Sequence, residues 1–95
     1  MALLAPVFDA EHGTLRAGAV RGPDCQTAME LIVFLKEKAF GVDRVLAHGR
    51  RTLRDGRVDL VHACGPARDM KVYVQVGDTR ETKRKSPVVV LSGCG

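Results

Sequence analysis

The sequence predicts an α+β domain in which a sheet curls around one helix. Three observations predict it. In residues 42–56, VDRVLAHGRRTLRDG, turning about 100° per residue puts Val42, Val45, Leu46, Gly49 and Leu53 in one stripe. Residues 70–76, MKVYVQV, alternate instead, with Lys71, Tyr73 and Gln75 on one face and Met70, Val72, Val74 and Val76 on the other. The apolar runs VDLVHA (58–63) and PVVVLS (87–92) flank that strand, so the chain reads as strand, helices, then a meander of strands.

In chain order, TLRAGAV (14–20) is the first expected strand, and RGPD (21–24) is turn chemistry in which Asp24 can cap a following helix. Residues 25–40, CQTAMELIVFLKEKAF, read as that helix. Met29, Ile32, Val33 and Leu35 fall at roughly helical spacing, and Gly41 stands in the C′ position. Periodicity also permits a buried strand over Leu31–Leu35, because short apolar runs do not separate the two. A second helix spans 43–55, with Asp43 as N-cap against the positive helix start and Gly56 as the stop. Its Arg44, Arg51 and Arg54 point away from the apolar stripe, with Arg50 at the border. GDTRETKRKS (77–86) is a polar connection too charged to bury, and Pro87 suits a strand start.

A chain of 95 residues fits one domain with a small core, burying roughly 60–65% of its extended-chain surface. The net charge of +4 is uneven. Residues 1–41 carry four Lys/Arg against five Asp/Glu, whereas residues 42–95 carry eleven against six, so an acidic partner is drawn to the second half. With three Phe, one Tyr and no Trp, the composition argues against a base-stacking platform. Cys25, Cys64 and Cys94 are odd in number and widely spaced. They are expected as reduced thiols, which suits a reducing compartment. No apolar run reaches membrane-spanning length, the N-terminal MALLAPVF is too short for a signal peptide, and LSGC (91–94) reads as chance.

Catalytic and metal motifs are thin. His62 and Cys64 could supply two zinc ligands, but no further pair stands at zinc spacing. Cys64 with His48 or His62 lacks any feature that would lower the thiol pKa, and no phosphate-binding glycine frame exists. The expectation is a protein without catalytic residues, metal or cofactor. The basic cluster is the stronger signal. Arg44, Arg50, Arg51, Arg54 and Arg57 lie on or just after the second helix, and Arg80, Lys83, Arg84 and Lys85 lie in the polar connection. Arginine offers planar, multi-donor contacts to phosphate, so convergence of these groups would bind RNA or a ribosome by charge. The plain alternative is a solvated basic surface.

One stretch also resembles a known family. VDRVLAHGRRTLRDGRVDLV (42–61) is similar to the core helix and following strand of the betacoronavirus leader protein, non-structural protein 1, in its SARS-like form. Val42, Asp43, Val45, Leu46, Arg50, Leu53, Arg54, Asp55, Gly56, Leu60 and Val61 carry the pattern. Met1, Leu4, Pro6 and Phe8 match the family's start, and Tyr73-Val74, Asp78, Arg80 and Val88–Leu91 follow in register. The resemblance implies a small irregular mixed β-barrel with a helix capping one opening, as a single N-terminal domain over 1–95. The chain stops where the family barrel still adds strands and lacks the family's C-terminal helix pair, so a short or incomplete form is implied. The implied role is a viral host-shutoff factor in the host cytoplasm; no membrane partner is expected, and the oligomeric state is left open, with a monomer as the default. It would suppress translation and interferon responses by contacting the small ribosomal subunit, viral leader or host RNA, and host proteins. Arg44, Arg50, Arg51, Arg54, Arg80, Lys83, Arg84 and Lys85 are the expected contacts. The alternative is a module that docks a host protein through the 43–55 helix face without RNA.

Overall fold

A computed structural model describes residues 2–20, 31–51, 57–78 and 83–94. Among these residues there is no helix. Eight strands form two antiparallel sheets, β1 (Ala2–Asp9), β2 (Thr14–Val20), β3 (Leu31–Glu37), β4 (Arg44–Arg51), β5 (Arg57–Ala63), β6 (Arg68–Asp78), β7 (Lys83–Lys85) and β8 (Val89–Cys94). One sheet has the order β1-β2-β5. The other has the order β4-β3-β6-β7, with β8 also paired to β6. The expected α+β fold, with a helix capping a closed barrel, is therefore corrected to an all-β fold of two facing sheets.

The core lies between the sheets. Leu15, Ala17 and Ala19 of β2 and Val58 and Leu60 of β5 meet Val33 and Leu35 of β3 and Met70, Val72, Val74 and Val76 of β6. The predicted alternation of β6 holds on its apolar face. On the other face Lys71 is exposed, but Tyr73 is buried.

The expected helix over 43–55 is a strand as far as Arg51, and residues 52–55 lie outside the described residues. The reason is a β-bulge. Lys36 pairs with Val45 and Leu35 with Ala47, so Leu46 is the extra residue on β4. The bulge puts two consecutive side chains, Leu46 and Ala47, against the core. Val45 is 45% exposed, whereas Leu46 packs on the core. In sequence, that insertion imitates helical spacing. Gly49 then brings β4 close to β5: a Cβ there would lie 3.0 Å from Val58 Cγ1 and 3.3 Å from Leu60 Cδ2.

The expected helix over 25–40 is likewise corrected. Leu31–Glu37 form the central strand β3, hydrogen-bonded to β4 and β6, while residues 25–30 lie outside the described residues. Gly41 does hold φ +90, in the β3–β4 loop rather than at a helix end. The strands expected at 14–20 and 58–63 match β2 and β5, and the last expected strand appears as Val89–Cys94. The polar connection 77–86 contains β7, whose Lys85 and Arg84 pair with Gln75 and Val76. β1 is a further strand, irregular between Leu4 and Val7 around Pro6, at the edge of its sheet where proline is tolerated.

The expectation of three reduced thiols is corrected too. Cys64 and Cys94 form a disulfide with Cα atoms 4.8 Å apart, joining the segment after β5 to the end of β8. A sequence separation of 30 gave no hint of the pairing. Cys25 lies outside the described residues.

Candidate nucleic-acid interface

Pairing register places side chains on a common face, because partners directly opposite in an antiparallel ladder point the same way. On the five-stranded sheet, the face turned away from the core carries three rows. His48, Phe34, Gln75 and Lys85 form one. Val45, Lys36 and Tyr73 form the next, and Arg50, Ile32 and Gly77 the third. Cations and rings therefore alternate across one sheet surface.

The rows are knitted together. Lys36 Nζ donates to Gln75 Oε1 at 3.1 Å and sits 5.5 Å from the Phe34 ring centroid. Lys85 Nζ lies 5.6 Å from the Tyr73 ring centroid. The Phe34 and His48 rings are 6.3 Å apart and tilted by 43°. Each ammonium thus rests over an aromatic face, which holds a flexible side chain near the sheet without neutralising its charge. Beneath Lys85, the Tyr73 hydroxyl donates to Asp43 Oδ2. Burial, reinforced by that acceptor, pushes the phenol up to about 12. The same bond, with the Ala39 N–H as a second donor, holds Asp43 below the usual carboxylate range.

The residues expected to contact RNA separate in this geometry. Arg50 and Lys85 share the outer face. Arg44 pairs with Glu37 and Arg84 with Val76, both in rows that lead to the core side, although both arginines are exposed. Arg51 and Lys83 occupy β4 and β7 opposite Leu31 and Gly77. Arg54 and Arg80 lie outside the described residues. As far as Arg51, the helix face that was to present Arg44, Arg51 and Arg54 together is replaced by a strand, along which neighbours alternate sides.

Lys36, Phe34 and His48 were missed by sequence reasoning. Their signal was the alternation Ile32, Phe34, Lys36 against Val33, Leu35, Glu37, which a strand reading of 31–37 would have exposed. The grouping of Lys71, Tyr73 and Gln75 on one face was already legible.

Elsewhere, Cys64 is held in the disulfide, which removes it as a nucleophile or zinc ligand. Exposed Glu11 and His12 lie within 4.8 Å of Asp9, and the His12–Asp9 hydrogen bond of 2.8 Å accounts for that proximity. On the opposite side of the molecule, a groove of about 460 Å³ crosses the outer face of the three-stranded sheet, lined by Leu4, Val7, Val61 and the Arg57–Asp59 ion pair.

Comparison with known families, curated proteins and solved structures returns no match. The likeness to the leader protein therefore enters the functional argument as a proposal alone.

Proposed function

We propose that this chain is a binding domain, without catalysis, that contacts RNA through the outer face of its five-stranded sheet. The observation that carries the reading is the placement of Lys36 and Lys85 over Phe34 and Tyr73, with Gln75 between them. Ammonium groups supply phosphate attraction, and the half-buried Phe34 with the exposed His48 adds ring surface beside them. The protein's net charge of +4 points the same way. In the wider reading, suggested by the leader-protein resemblance, the RNA belongs to the host small ribosomal subunit or a viral leader, and the outcome is host shutoff in the cytoplasm. The disulfide weakens the compartment part of that reading, because the cysteine argument for a reducing environment rested on free thiols. The alternative of docking through a 43–55 helix face falls with the helix.

The test is an RNA titration by fluorescence anisotropy over a salt series. Each phosphate contact contributes a slope of about −0.7 in log K against log salt for single strands, so Lys36→Glu with Lys85→Glu should flatten the slope by about 1.4. A parent protein with no salt-dependent RNA affinity would sink the proposal. Capture of ribosomal RNA from lysate by the parent, lost in the double variant, would support the ribosomal form.

A further inference from the structure

The loop between β3 and β4 is built, not slack. The Asp43 carboxylate accepts from the Ala39 N–H at one end and from the Tyr73 hydroxyl beneath, and the Lys38 N–H donates to the Lys71 carbonyl at 2.8 Å. Between these anchors Gly41 reverses the chain at φ +90. The reversal leaves Phe40 and Val42 on the tip at 108% and 91% exposure, the most exposed large apolar side chains of the described residues. A held loop that projects two such side chains into water gains nothing for the fold, which buries neither.

The surroundings of the tip are cationic. Lys38 lines a shallow cleft with Lys85, Tyr73 and Val88, and a second with Lys71 and Val90. Val88 and Val90 are themselves 43% and 70% exposed. Two acidic residues, Asp69 and Glu37, also line the second cleft, with Glu37 neutralised by Arg68, while Asp43 is engaged with its own loop.

We propose that the β3–β4 tip docks on an anionic lipid surface, with Phe40 and Val42 entering the headgroup boundary and Lys38, Lys71 and Lys85 meeting the headgroups. Charge complementarity selects this occupant. Apolar groups ahead of a ring of lysines suit a negatively charged interface, where insertion and attraction add. A protein partner would need an interface of the order of 1,200 Å² or more, whereas two side chains on a narrow tip offer a small fraction of that. Val42 has no π face, so base stacking would leave half of the tip unused. The expectation of no membrane partner considered spanning segments; among the described residues no helix is long and apolar enough to cross a membrane, and surface docking needs none. The inference shares Lys85 with the RNA reading but rests on the exposed Phe40 and Val42 tip, which that reading does not use.

The experiment is co-sedimentation with phosphatidylcholine vesicles, with and without phosphatidylserine. The parent should sediment only with the anionic vesicles. Phe40→Asp should lower the partition coefficient by about tenfold or more, the effect of withdrawing one large apolar side chain, while Phe40→Leu retains most of it. Both variants should keep the parent's urea midpoint, since the side chain is fully exposed. Failure of the parent to bind anionic vesicles overturns the proposal. So does Phe40→Asp binding them like the parent. If that variant instead loses affinity for single-stranded RNA with vesicle binding unchanged, the tip stacks a base and the lipid assignment is wrong.

Discussion

Arg68 closes two hydrogen bonds on the Glu37 carboxylate, at 2.6 and 2.8 Å, tying the start of β6 to the end of β3. Glu37 is only 7% exposed, so its charge is tolerable because the guanidinium fork matches it.

The Arg68 hydrogen bonds hold Glu37 below the usual carboxylate range. A depressed folded pKa stabilises the fold above the unfolded value, and that contribution is lost as pH falls through the folded one. Arg68→Ala should therefore lower the urea midpoint at neutral pH. The gap from the parent should close on acidification, as both proteins protonate Glu37. A gap independent of pH would mean that Arg68 acts through packing alone.

Gly49 lets two sheets approach, and a larger residue should be resisted by one neighbour in particular. Gly49→Val should cost about 1–3 kcal/mol from overpacking. Trimming the obstruction with Val58→Ala should make the same substitution cheaper. A double-mutant cycle by urea denaturation measures the coupling, and strict additivity would contradict the contact.

The Cys64–Cys94 bridge closes a segment of sequence separation 30. The chain-entropy estimate for such a loop is about 3–4 kcal/mol. Reductant, or Cys94→Ser, should lower the melting temperature accordingly. Thiol titration of the unfolded, unreduced protein should find at most one reactive group among the three cysteines.

Tyr73 should titrate late. Its phenolate absorbance should rise near pH 12 rather than near the ordinary value of 10. A raised folded pKa contributes stability that is present below the unfolded pKa and is lost as pH climbs through the folded one, so the loss falls between about pH 10 and 12. Asp43→Asn removes the charged acceptor and should bring the transition down, although burial, the larger cause, remains.

Strands that keep a strict period of two were readable from sequence. β6 alternates without interruption, and β5 sets Val58 and Leu60 inward against exposed Arg57, Asp59 and Val61. Strands that break the period misled. The bulge at Leu46 gave β4 a helical spacing, and the irregularity around Pro6 hid β1. β3 is central and apolar on both faces at Ile32, Val33, Phe34 and Leu35, a run that fits a buried strand and a buried helix equally well.

The candidate interface was half legible for a related reason. Arg50 and Lys85 were named from charge, but the face they share was assigned to a helix and a loop. Phe34 and Lys36 became visible only once β3 lay between β4 and β6, because their neighbours come from strands far away in sequence. The sparse aromatic composition gave no sign of the grouping either: three rings, from Phe34, His48 and the buried Tyr73, stand in adjacent rows of a single face.

The bridge between Cys64 and Cys94 has a topological consequence. It makes the chain from 64 to 94 a covalent ring that contains β6, β7 and β8. Within that ring, no single scission of the backbone releases a fragment. A protease that cuts once there adds the mass of one water and nothing departs until the sulfurs are reduced, so a single band on a gel run without reductant does not certify an uncut polypeptide, whereas the added water in an intact mass betrays the cut.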